Sequence, residues 1–544
     1  MHWVVAAEKD AANGSLETSL WAAADQLRAN SGLNASQYSQ PVLGLIFLRF
    51  ADVRFAARRA ELTRAATSAR RGPQVDEPSA YHEKGVIFLA APNPKRKFAG
   101  ARFDDLLKLP EGAAVGSSVN DAMRAIERDN PQLAGVLPKT YEIFDGVLLK
   151  DLLKKVSDIP ATLDGDAFGR VYEYFLGQFA RTEGQRGGEF YTPRSIVRLL
   201  VEILEPFRGR ILDPAAGSGG MFVQSARFVG EHKKDPASEL SIFGQEKVAS
   251  TVALARMNLA VHGLDGDIKE ANTYYEDAHR STGKFDFVLA NPPFNVDAVD
   301  KERLAADTGP GRRYPFGMPR ADNANYLWIQ LFWSALNARG RAGFVMANSA
   351  ADARASEQEI RRQLIEARAV DVMVAVGPNM FYTVTLPCTL WFFDRGKKGI
   401  ARADTVLFID ARHIYRQMDR AHRDWTDTQI GFLANIVRLY RGETPDFTLG
   451  GDEARLKLEE VFGRRPRFAD VLGLCKAASA TDIAAQGWSL NPGRYVGVAP
   501  GGTVSGAEFK EQLEILSDEF ERLSTQARDL EDGIRRSVEE ILES

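Results

Sequence analysis

The sequence predicts an α/β protein with a mostly parallel, doubly wound sheet, preceded by an α-helical N-terminal domain and followed by a C-terminal coiled-coil helix. Three patterns lead to this fold class. Strand and helix segments alternate between Arg210 and Met346, as in a parallel sheet built from βα units. Before them, apolar residues recur every three or four positions between Leu16 and Leu27, which is typical of helices. After them, the last forty residues or so follow a heptad repeat.

Within the sheet region, runs rich in Val, Ile, Leu and Phe predict strands, and amphipathic runs predict helices. The predicted strands are 210–212, 240–243, 285–290, 342–346 and 405–409, and the predicted helices are 196–204, 221–229, 250–262 and 326–336. We divide the chain into a helical N-terminal domain (15–158), the sheet domain (159–470), a connecting segment (471–506) and the C-terminal helix (507–544). The N-terminal domain is interpreted as a packing domain without chemistry of its own.

The C-terminal segment carries the pattern of a coiled-coil seam. Apolar residues alternate spacings of four and three at Phe509, Leu513, Leu516, Phe520, Leu523, Ala527, Leu530 and Ile534. A seam of about four heptads needs a second helix to cover it. We favour docking onto a partner chain, and a hairpin within the same chain is the alternative.

The charge balance bears on nucleic-acid partners. The chain of 544 residues has a formal net charge of −4, so as a whole it lacks the positive field by which a protein binds a polyanion unaided. Contact with nucleic acid would then depend on a local patch or on a partner.

Cysteine usage and hydropathy indicate the compartment. Cys388 and Cys475 are the only cysteines, and their separation fits neither a disulfide framework nor a metal site. The N-terminus is too poor in apolar residues for a signal peptide, and no segment reaches the length of an uncharged membrane span. We therefore expect a cytoplasmic protein without membrane contact or bound metal.

A rigid polar loop follows the apolar strand 285–290. It consists of Asn291, Pro292, Pro293 and Phe294. Proline fixes φ and has no N–H donor, so the asparagine side chain and the neighbouring carbonyls can be held facing one point beside the flat phenylalanine ring. This arrangement is suited to holding a planar group that bears an amino group.

A turn of small residues follows the strand 210–212. It contains Asp213, Ala215, Ala216 and Gly217 and leads into a helix. Small residues let a ligand lie against the backbone, and the free N–H groups of the helix N-terminus point into the site. Such a turn alone is equally typical of close packing or of binding any nucleotide.

Polar residues end the next two predicted strands. Glu246 follows the strand 240–243, where a carboxylate can accept two hydrogen bonds from a ribose diol. Asn272 falls where the third strand should finish. Its amide can both donate to and accept from an adenine edge, and a turn-forming role for this asparagine is the alternative.

These motifs, in this order, resemble those of the S-adenosylmethionine-dependent DNA amino-methyltransferases that modify adenine N6. More closely, the chain is similar to the modification subunits of type I restriction-modification systems. The helical segment 20–28, the loop 189–194 (Glu-Phe-Tyr-Thr-Pro-Arg) and the C-terminal helix all have counterparts in that family. The resemblance covers roughly residues 16–542.

The resemblance implies a Rossmann-like S-adenosylmethionine-dependent methyltransferase domain. The residues that would line the methionine end of the cofactor are Glu189, Phe190, Tyr191, Thr192, Pro193 and Arg194, with Thr192 near its carboxylate. The residues that would hold the rest of it are Asp213, Ala215, Ala216 and Gly217 as a cradle, Glu246 at the ribose and Asn272 near the adenine. The residues that would receive the target adenine are Asn291, Pro292, Pro293 and Phe294.

The chemistry of this loop agrees with that role. An adenine amino nitrogen is a poor nucleophile because its lone pair is delocalised into the ring. If Asn291 and the Pro292 carbonyl accept its two N–H bonds, the nitrogen moves toward a tetrahedral form whose lone pair points at the sulfonium methyl. Phe294 would stack on the base after it has left the duplex.

The resemblance also implies partners. The chain would bind DNA, two copies would assemble with one specificity subunit through the C-terminal helix, and a translocating nuclease subunit could join them. No Gly-x-x-x-x-Gly-Lys-Ser/Thr phosphate loop is present, so cleavage would belong to another subunit. The alternatives are a stand-alone adenine methyltransferase, a subunit of another phage-defence system, and a catalytically silent DNA-binding scaffold.

A group of arginines follows the Asn-Pro-Pro-Phe motif. Arg312, Arg313 and Arg320 would either contact DNA phosphates or belong to a solvated, flexible loop. The sequence favours neither.

Overall fold

The computed structural model of the protein describes residues 1–6, 21, 35–66, 75–110, 113–160, 165–183, 192–319, 323–381, 387–419, 422–498 and 517. The chain divides into a compact unit, Met1–Val496, and a second unit, Gly497–Ser544. The predicted coiled-coil helix, 507–544, lies outside the described residues except for Ser517. Among the helices within the described ranges, none has the length and apolar character needed to cross a membrane.

The N-terminal part of the compact unit is helical, as predicted. Its helices are α1 (Ala35–Ala66), α2 (Pro78–His82), α3 (Phe103–Leu107), α4 (Val115–Asp129), α5 (Gly146–Ser157) and α6 (Gly165–Glu183). Their apolar faces share one core, which also takes in Met257 and Val261 from a later helix. The helical part therefore packs directly against the region that follows it.

The strands that the structure describes in the compact unit form two sheets. They are β1 (Trp3–Ala6), β2 (Gly209–Asp213), β3 (Leu240–Glu246), β4 (Gly266–Glu270), β5 (Phe285–Ala290), β6 (Leu336–Ala347), β7 (Val370–Val376), β8 (Cys388–Asp394), β9 (Thr405–Asp410), β10 (Ile414–Gln417), β11 (Arg423–Asp424) and β12 (Cys475–Ser479). The large sheet has the order β12-β9-β7-β8-β6-β5-β2-β3-β4, and a small one has the order β1-β10-β11. In the large sheet, β8 runs antiparallel to β6 and β7, β12 runs antiparallel to β9, and the other pairs are parallel.

Helices cover both faces of the large sheet. The helices of this part of the chain are α7 (Arg194–Leu204), α8 (Gly220–Glu231), α9 (Pro236–Glu239), α10 (Ala249–Val261), α11 (Lys301–Leu304), α12 (Asn325–Ala335), α13 (Ser356–Glu366), α14 (Asp427–Arg441), α15 (Gly451–Phe462) and α16 (Ala480–Ala485). Ile211 of β2 joins the core formed with α7, α8, α10 and α14, whereas its neighbour Leu212 joins the core formed with α12 and α13. Successive strand residues point to opposite faces, so the sheet is buried on both sides, as the doubly wound prediction requires.

Local sequence signals determine where helix α14 begins and ends. Thr426 and Gln429 form a capping box, in which the threonine hydroxyl accepts from Gln429 N at 3.2 Å and the glutamine oxygen accepts from Thr426 N at 3.0 Å. Gly442 ends the helix in the left-handed conformation, at φ +76°. These signals satisfy the free N–H and C=O groups at the two ends.

Strands β7 and β8 have no counterpart among the predicted strands. All seven residues of each are buried, so their apolar runs show no alternation that distinguishes a strand from a buried helix. The predicted connecting segment 471–506 also contains β12 and α16, and β12 supplies an edge strand of the sheet. The domain boundaries at 158, 470 and 506 stay predictions.

A buried ionic cluster joins the sheet to helix α14. Asp371, at the start of β7, is fully buried and faces Arg441 at 3.1 Å and Lys397 at 3.8 Å, with Arg402 in contact. Burial alone would raise the pKa of Asp371, but the three cations hold it below its usual range. Arg441 also donates to the Ile203 carbonyl of α7 at 2.7 Å, so the cluster fixes α7 and α14 together.

Replacing the central carboxylate should destabilise the protein strongly. In Asp371→Ala the buried Arg441 and Lys397 lose the carboxylate that faces them, and we expect a loss of about 3 to 5 kcal/mol in the free energy of unfolding, measured by urea denaturation. The control is Asp404→Ala, which removes a carboxylate paired with Arg368 on the surface and should change stability far less. Equal losses in the two variants would contradict the role of the cluster.

Candidate active site

Two predicted motifs meet where parallel strands end. Strand β2 pairs with β3 on one side and with β5 on the other, so the order of the strands reverses beside β2. Ligands of open α/β sheets bind outside the carboxyl ends of the strands at such a reversal. Asp213 is the last residue of β2, and Asn291 directly follows β5. The turn after β2 and the loop 291–299, called here the NPPF loop, therefore lie at the same edge.

The turn after β2 is shaped by glycine. Ala216 N donates to the Gln245 carbonyl at 3.0 Å, and Gly219 N donates to the Ala216 carbonyl at 2.8 Å. Gly217 and Gly219 adopt φ +51° and +82°, in the left-handed region that favours glycine. A Cβ on Gly217 would meet nothing within 4 Å, so this turn borders open space in which a ligand could lie against the backbone.

Glu246 is held in place by backbone amides. Its Oε2 accepts from Gly217 N at 3.1 Å, and its Oε1 accepts from Lys247 N at 2.8 Å and Val248 N at 3.1 Å. The side chain is half-buried at the end of β3. Three amide donors fix the direction of the carboxylate. The structure thus joins the predicted ribose-binding carboxylate to the glycine turn.

Asp213 lies beneath the turn and is 1% exposed. Burial raises its pKa from the ordinary 3.8 to about 8; a hydrogen bond from Ala215 N opposes this effect, and the charge of Glu246 adds to it. The Ala215 N to Asp213 Oδ1 distance is 3.0 Å. The carboxyl is therefore mostly protonated near neutral pH in the absence of a ligand.

Asn272 has the geometry of a turn-forming residue. It lies in the loop 271–277, called here the β4 loop, where its Oδ1 accepts from Tyr274 N at 3.2 Å and its carbonyl accepts from Tyr275 N and Glu276 N. This supports the turn-forming alternative, and the amide nitrogen and the second lone pair of the oxygen are the parts of the side chain that could contact a ligand.

Gln245 and Thr273 form a buried polar network that the sequence did not reveal. Gln245 Nε2 donates to Thr273 Oγ1 at 2.9 Å, and this hydroxyl donates to the Pro214 carbonyl at 2.6 Å. Both residues are less than 9% exposed. The network ties the glycine turn to the β4 loop. Each residue directly neighbours a predicted ligand residue, Glu246 or Asn272, and that adjacency is the signal by which they could have been found.

Thr192 contacts Asn291 across 99 residues of sequence. Asn291 Nδ2 donates to Thr192 Oγ1 at 2.8 Å, so the loop predicted for the methionine end of the cofactor touches the NPPF loop. Pro193 is buried and precedes α7, whose first residue, Arg194, is exposed. The other predicted residues of this loop, Glu189, Phe190 and Tyr191, lie outside the described residues.

The three residues after Asn291 differ in exposure. Pro292 is buried, Pro293 is exposed and Phe294 is half-buried. The Phe294 ring packs in part against the core that contains α7 and α8. One part of the ring is thus supported by the core while another part remains accessible, which suits a ring that stacks on a flat ligand.

Arg313, one of the arginines after the NPPF loop, has a structural role. Arg313 is 6% exposed and donates to the Tyr274 carbonyl at 3.3 Å and to the Thr273 carbonyl. It is an anchor for the β4 loop, so both alternatives given for it, phosphate contact and solvated loop, are wrong. Arg312 is exposed and contacts the Ala306 carbonyl, and Arg320 lies outside the described residues.

The raised pKa of Asp213 predicts a pH-dependent stability. Between about pH 4 and 8 the unfolded chain has lost this proton while the folded chain keeps it, so stability falls as pH rises through this window. As the pH increases, we expect the free energy of unfolding of Asp213→Asn to rise relative to that of the wild type by up to about 1.4 kcal/mol per pH unit. Urea denaturation from pH 5 to 8 measures this difference. A difference between the two proteins that does not change with pH would contradict this assignment.

Comparison with known proteins identifies the family. The N-6 DNA Methylase family matches residues 163–501, and the HsdM N-terminal domain family matches residues 16–158. The chain is 34% identical over 548 residues to the type I restriction enzyme MjaIX methylase subunit of Methanocaldococcus jannaschii, with 97% of this chain and 91% of the relative covered. It is 35% identical over 450 residues to the HindI methylase subunit of Haemophilus influenzae, with 79% and 94% covered.

A solved structure shares the fold. The type I restriction-modification system methyltransferase subunit from Streptococcus thermophilus superimposes with a TM-score of 0.68 at 22% identity, over 89% of this chain and all of that one. With a family match over more than half of its length and a relative at 34% identity over almost all of it, the chain belongs to the N-6 DNA methylases and, within them, to the methylase subunits of type I restriction enzymes.

Proposed function

We propose that this protein is the catalytic modification subunit of a type I restriction-modification system, a site-specific, adenine-specific DNA methyltransferase. It transfers a methyl group from S-adenosylmethionine to N6 of adenine in duplex DNA and so protects host DNA from cleavage. The observation that carries the proposal is the hydrogen bond from Asn291 to Thr192, because it joins the NPPF loop to a loop assigned to the cofactor, as methyl transfer between them requires.

The residues of the glycine turn fit S-adenosylmethionine. Glu246 would accept hydrogen bonds from the ribose hydroxyls, since its carboxylate is already oriented by Gly217 N. The open space beside Gly217 would take the body of the cofactor against the backbone. When bound, S-adenosylmethionine supplies a methyl group activated by a positively charged sulfur.

Asn291 and Pro292 would hold the amino group of the target adenine. The Asn291 amide nitrogen is directed at Thr192, so its oxygen is the atom that would accept from the adenine amino group. The Pro292 carbonyl would accept the second N–H bond, which directs the nitrogen lone pair at the methyl group. Phe294 would stack on the base, which leaves the duplex at a cost of a few kcal/mol.

Target choice is assigned to a partner. The net charge of −4 gives the chain little attraction for DNA by itself, and Arg313 is buried in a structural role. We propose that two copies assemble with one specificity subunit through the C-terminal helix, 507–544, and that a restriction subunit can join this complex. The name of the relatives, methylase subunits of restriction enzymes, supports such an assembly.

The location of the protein in the cell follows from the same proposal. A subunit that modifies host DNA acts where that DNA is, which is the cytoplasm. Cys388 and Cys475 are buried free thiols, as suits a reducing compartment.

Substitutions in the NPPF loop test the proposal. In a complex with the specificity subunit, Asn291→Ala should lower the rate of methyl transfer to unmethylated DNA at least about 100-fold, and Phe294→Ala about 10-fold to 100-fold. In Phe294→Ala, calorimetry should find S-adenosylmethionine binding within about twofold of the wild type, because Phe294 is not assigned to the cofactor. Asn291→Ala also removes the hydrogen bond to Thr192, so its rate is compared at saturating cofactor.

A second asparagine, Asn337, provides a matched control variant. Asn337 bonds to Asp286 at 2.8 Å at the amino ends of the strands, away from the site, so Asn337→Ala should keep the wild-type rate. An unchanged rate of methyl transfer in Asn291→Ala would contradict the assignment of the NPPF loop to the target adenine. A wild-type complex that binds cofactor and DNA yet transfers no methyl group would remove the proposed function.

A further inference from the structure

Helix α12 lies between the NPPF loop and the β4 loop, and all eleven of its residues are buried. A helix that is buried on every side is held by packing around its whole circumference. The polar side chains that it does carry are Asn325, Gln330 and Ser334, together with the Tyr326 hydroxyl and the Trp328 indole N–H. Buried polar groups of this kind need specific partners.

Asn325, the first residue of α12, binds the NPPF loop through a reciprocal pair of hydrogen bonds. Its Oδ1 accepts from Asn295 N at 2.8 Å, and its Nδ2 donates to Asn295 Oδ1 at 2.9 Å. The neighbouring Ala324 N donates to the Val296 carbonyl at 2.9 Å. Asn295 directly follows Phe294 and adopts φ +54°, a conformation that asparagine tolerates better than most residues.

Trp328, one turn later, binds the β4 loop. Its Nε1 donates to the Tyr274 hydroxyl at 2.7 Å, and both side chains are less than 9% exposed. The Tyr274 backbone is held from the other side, since its carbonyl accepts from the Tyr314 hydroxyl at 2.8 Å. Tyr274 is two residues from Asn272, so this contact fixes the loop assigned to the cofactor adenine.

We propose that helix α12 is a rigid spacer that sets the position of the target base relative to the cofactor, with Asn325 and Trp328 as positioning residues at its two contacts. The inference rests on the proposed function, because it names what aligns the two loops of that same site. Neither residue is assigned a contact with the reacting atoms. Asn325 acts through the NPPF loop, and Trp328 acts through the β4 loop.

The two contacts have different consequences for the reaction. A loosened NPPF loop misplaces the acceptor nitrogen in the bound complex, and a displacement of about 1 Å can cost about 100-fold in rate. A loosened β4 loop weakens the hold on the cofactor before any chemistry takes place. Loss of the Asn325 contact should therefore lower kcat, and loss of the Trp328 contact should raise the dissociation constant for S-adenosylmethionine.

Two substitutions of Asn295 test the first contact without changing the buried helix. Asn295→Gly permits the positive φ but removes the side-chain acceptor, whereas Asn295→Asp keeps an oxygen for Asn325 Nδ2. In the full complex with the specificity subunit, we expect Asn295→Gly to lower kcat for methyl transfer about 10-fold to 100-fold. Asn295→Asp should keep kcat within about threefold, and cofactor binding should be unchanged in both variants.

Trp328→Phe tests the second contact. It keeps an aromatic ring in the core and removes the N–H donor to Tyr274. Loss of one hydrogen bond of this kind should weaken the binding of S-adenosylmethionine roughly threefold to tenfold, as measured by calorimetry on the full chain. The rate at saturating cofactor should change less than this. Far-ultraviolet circular dichroism and urea midpoints verify that each variant is folded.

The outcomes separate the inference from the function on which it rests. Equal kcat in wild type, Asn295→Gly and Asn295→Asp, with methyl transfer intact, would overturn the role of Asn325. The proposed methyltransferase function would not be affected by this result. Unchanged cofactor binding in Trp328→Phe would overturn the role of Trp328. If the wild-type complex itself transfers no methyl group, the proposed function fails first.

Discussion

The parallel pairing of β2 with both β3 and β5 is the constraint on which the whole site depends. Because the chain leaves β2 toward one side and returns on the other, the carboxyl ends of the two neighbours open onto the same crevice. The glycine turn, Glu246 and Asn291 come from three different strands, and only this strand order brings them to one edge. The buried faces of the sheet hold that order rigid through two separate cores.

Electrostatics at this edge suits a ligand with charges of both signs. The Glu246 carboxylate accepts hydrogen bonds from three backbone amides, while burial raises the pKa of Asp213 to about 8. A sulfonium cation nearby would favour the charged form of Asp213. The positive end of the α8 helix dipole, by contrast, favours an anion. S-adenosylmethionine, with a cationic sulfur and a carboxylate, matches this combination.

Many polar side chains around the site form hydrogen bonds that hold loops in place and are not assigned to ligands. Arg313, Tyr314 and Trp328 all bind the β4 loop through Tyr274 or Thr273. Asn325 does the same for the NPPF loop. The polar groups of a loop backbone are not paired within regular structure and need other partners. A site made of several loops therefore needs many such contacts before it can hold a substrate at a defined distance.

The sequence by itself determined the α/β alternation, the glycine turn, the carboxylate at the end of β3 and the Asn-Pro-Pro-Phe loop, because periodicity, proline and glycine act locally along the chain. It did not reveal β7 and β8, whose fully buried runs carry no alternation. Nor did it reveal the contacts of Asn291 with Thr192, Asn295 with Asn325 or Arg313 with the β4 loop. These join residues from 30 to 99 positions apart, and only the tertiary structure decides such pairs, because no local pattern encodes which loops the sheet brings together.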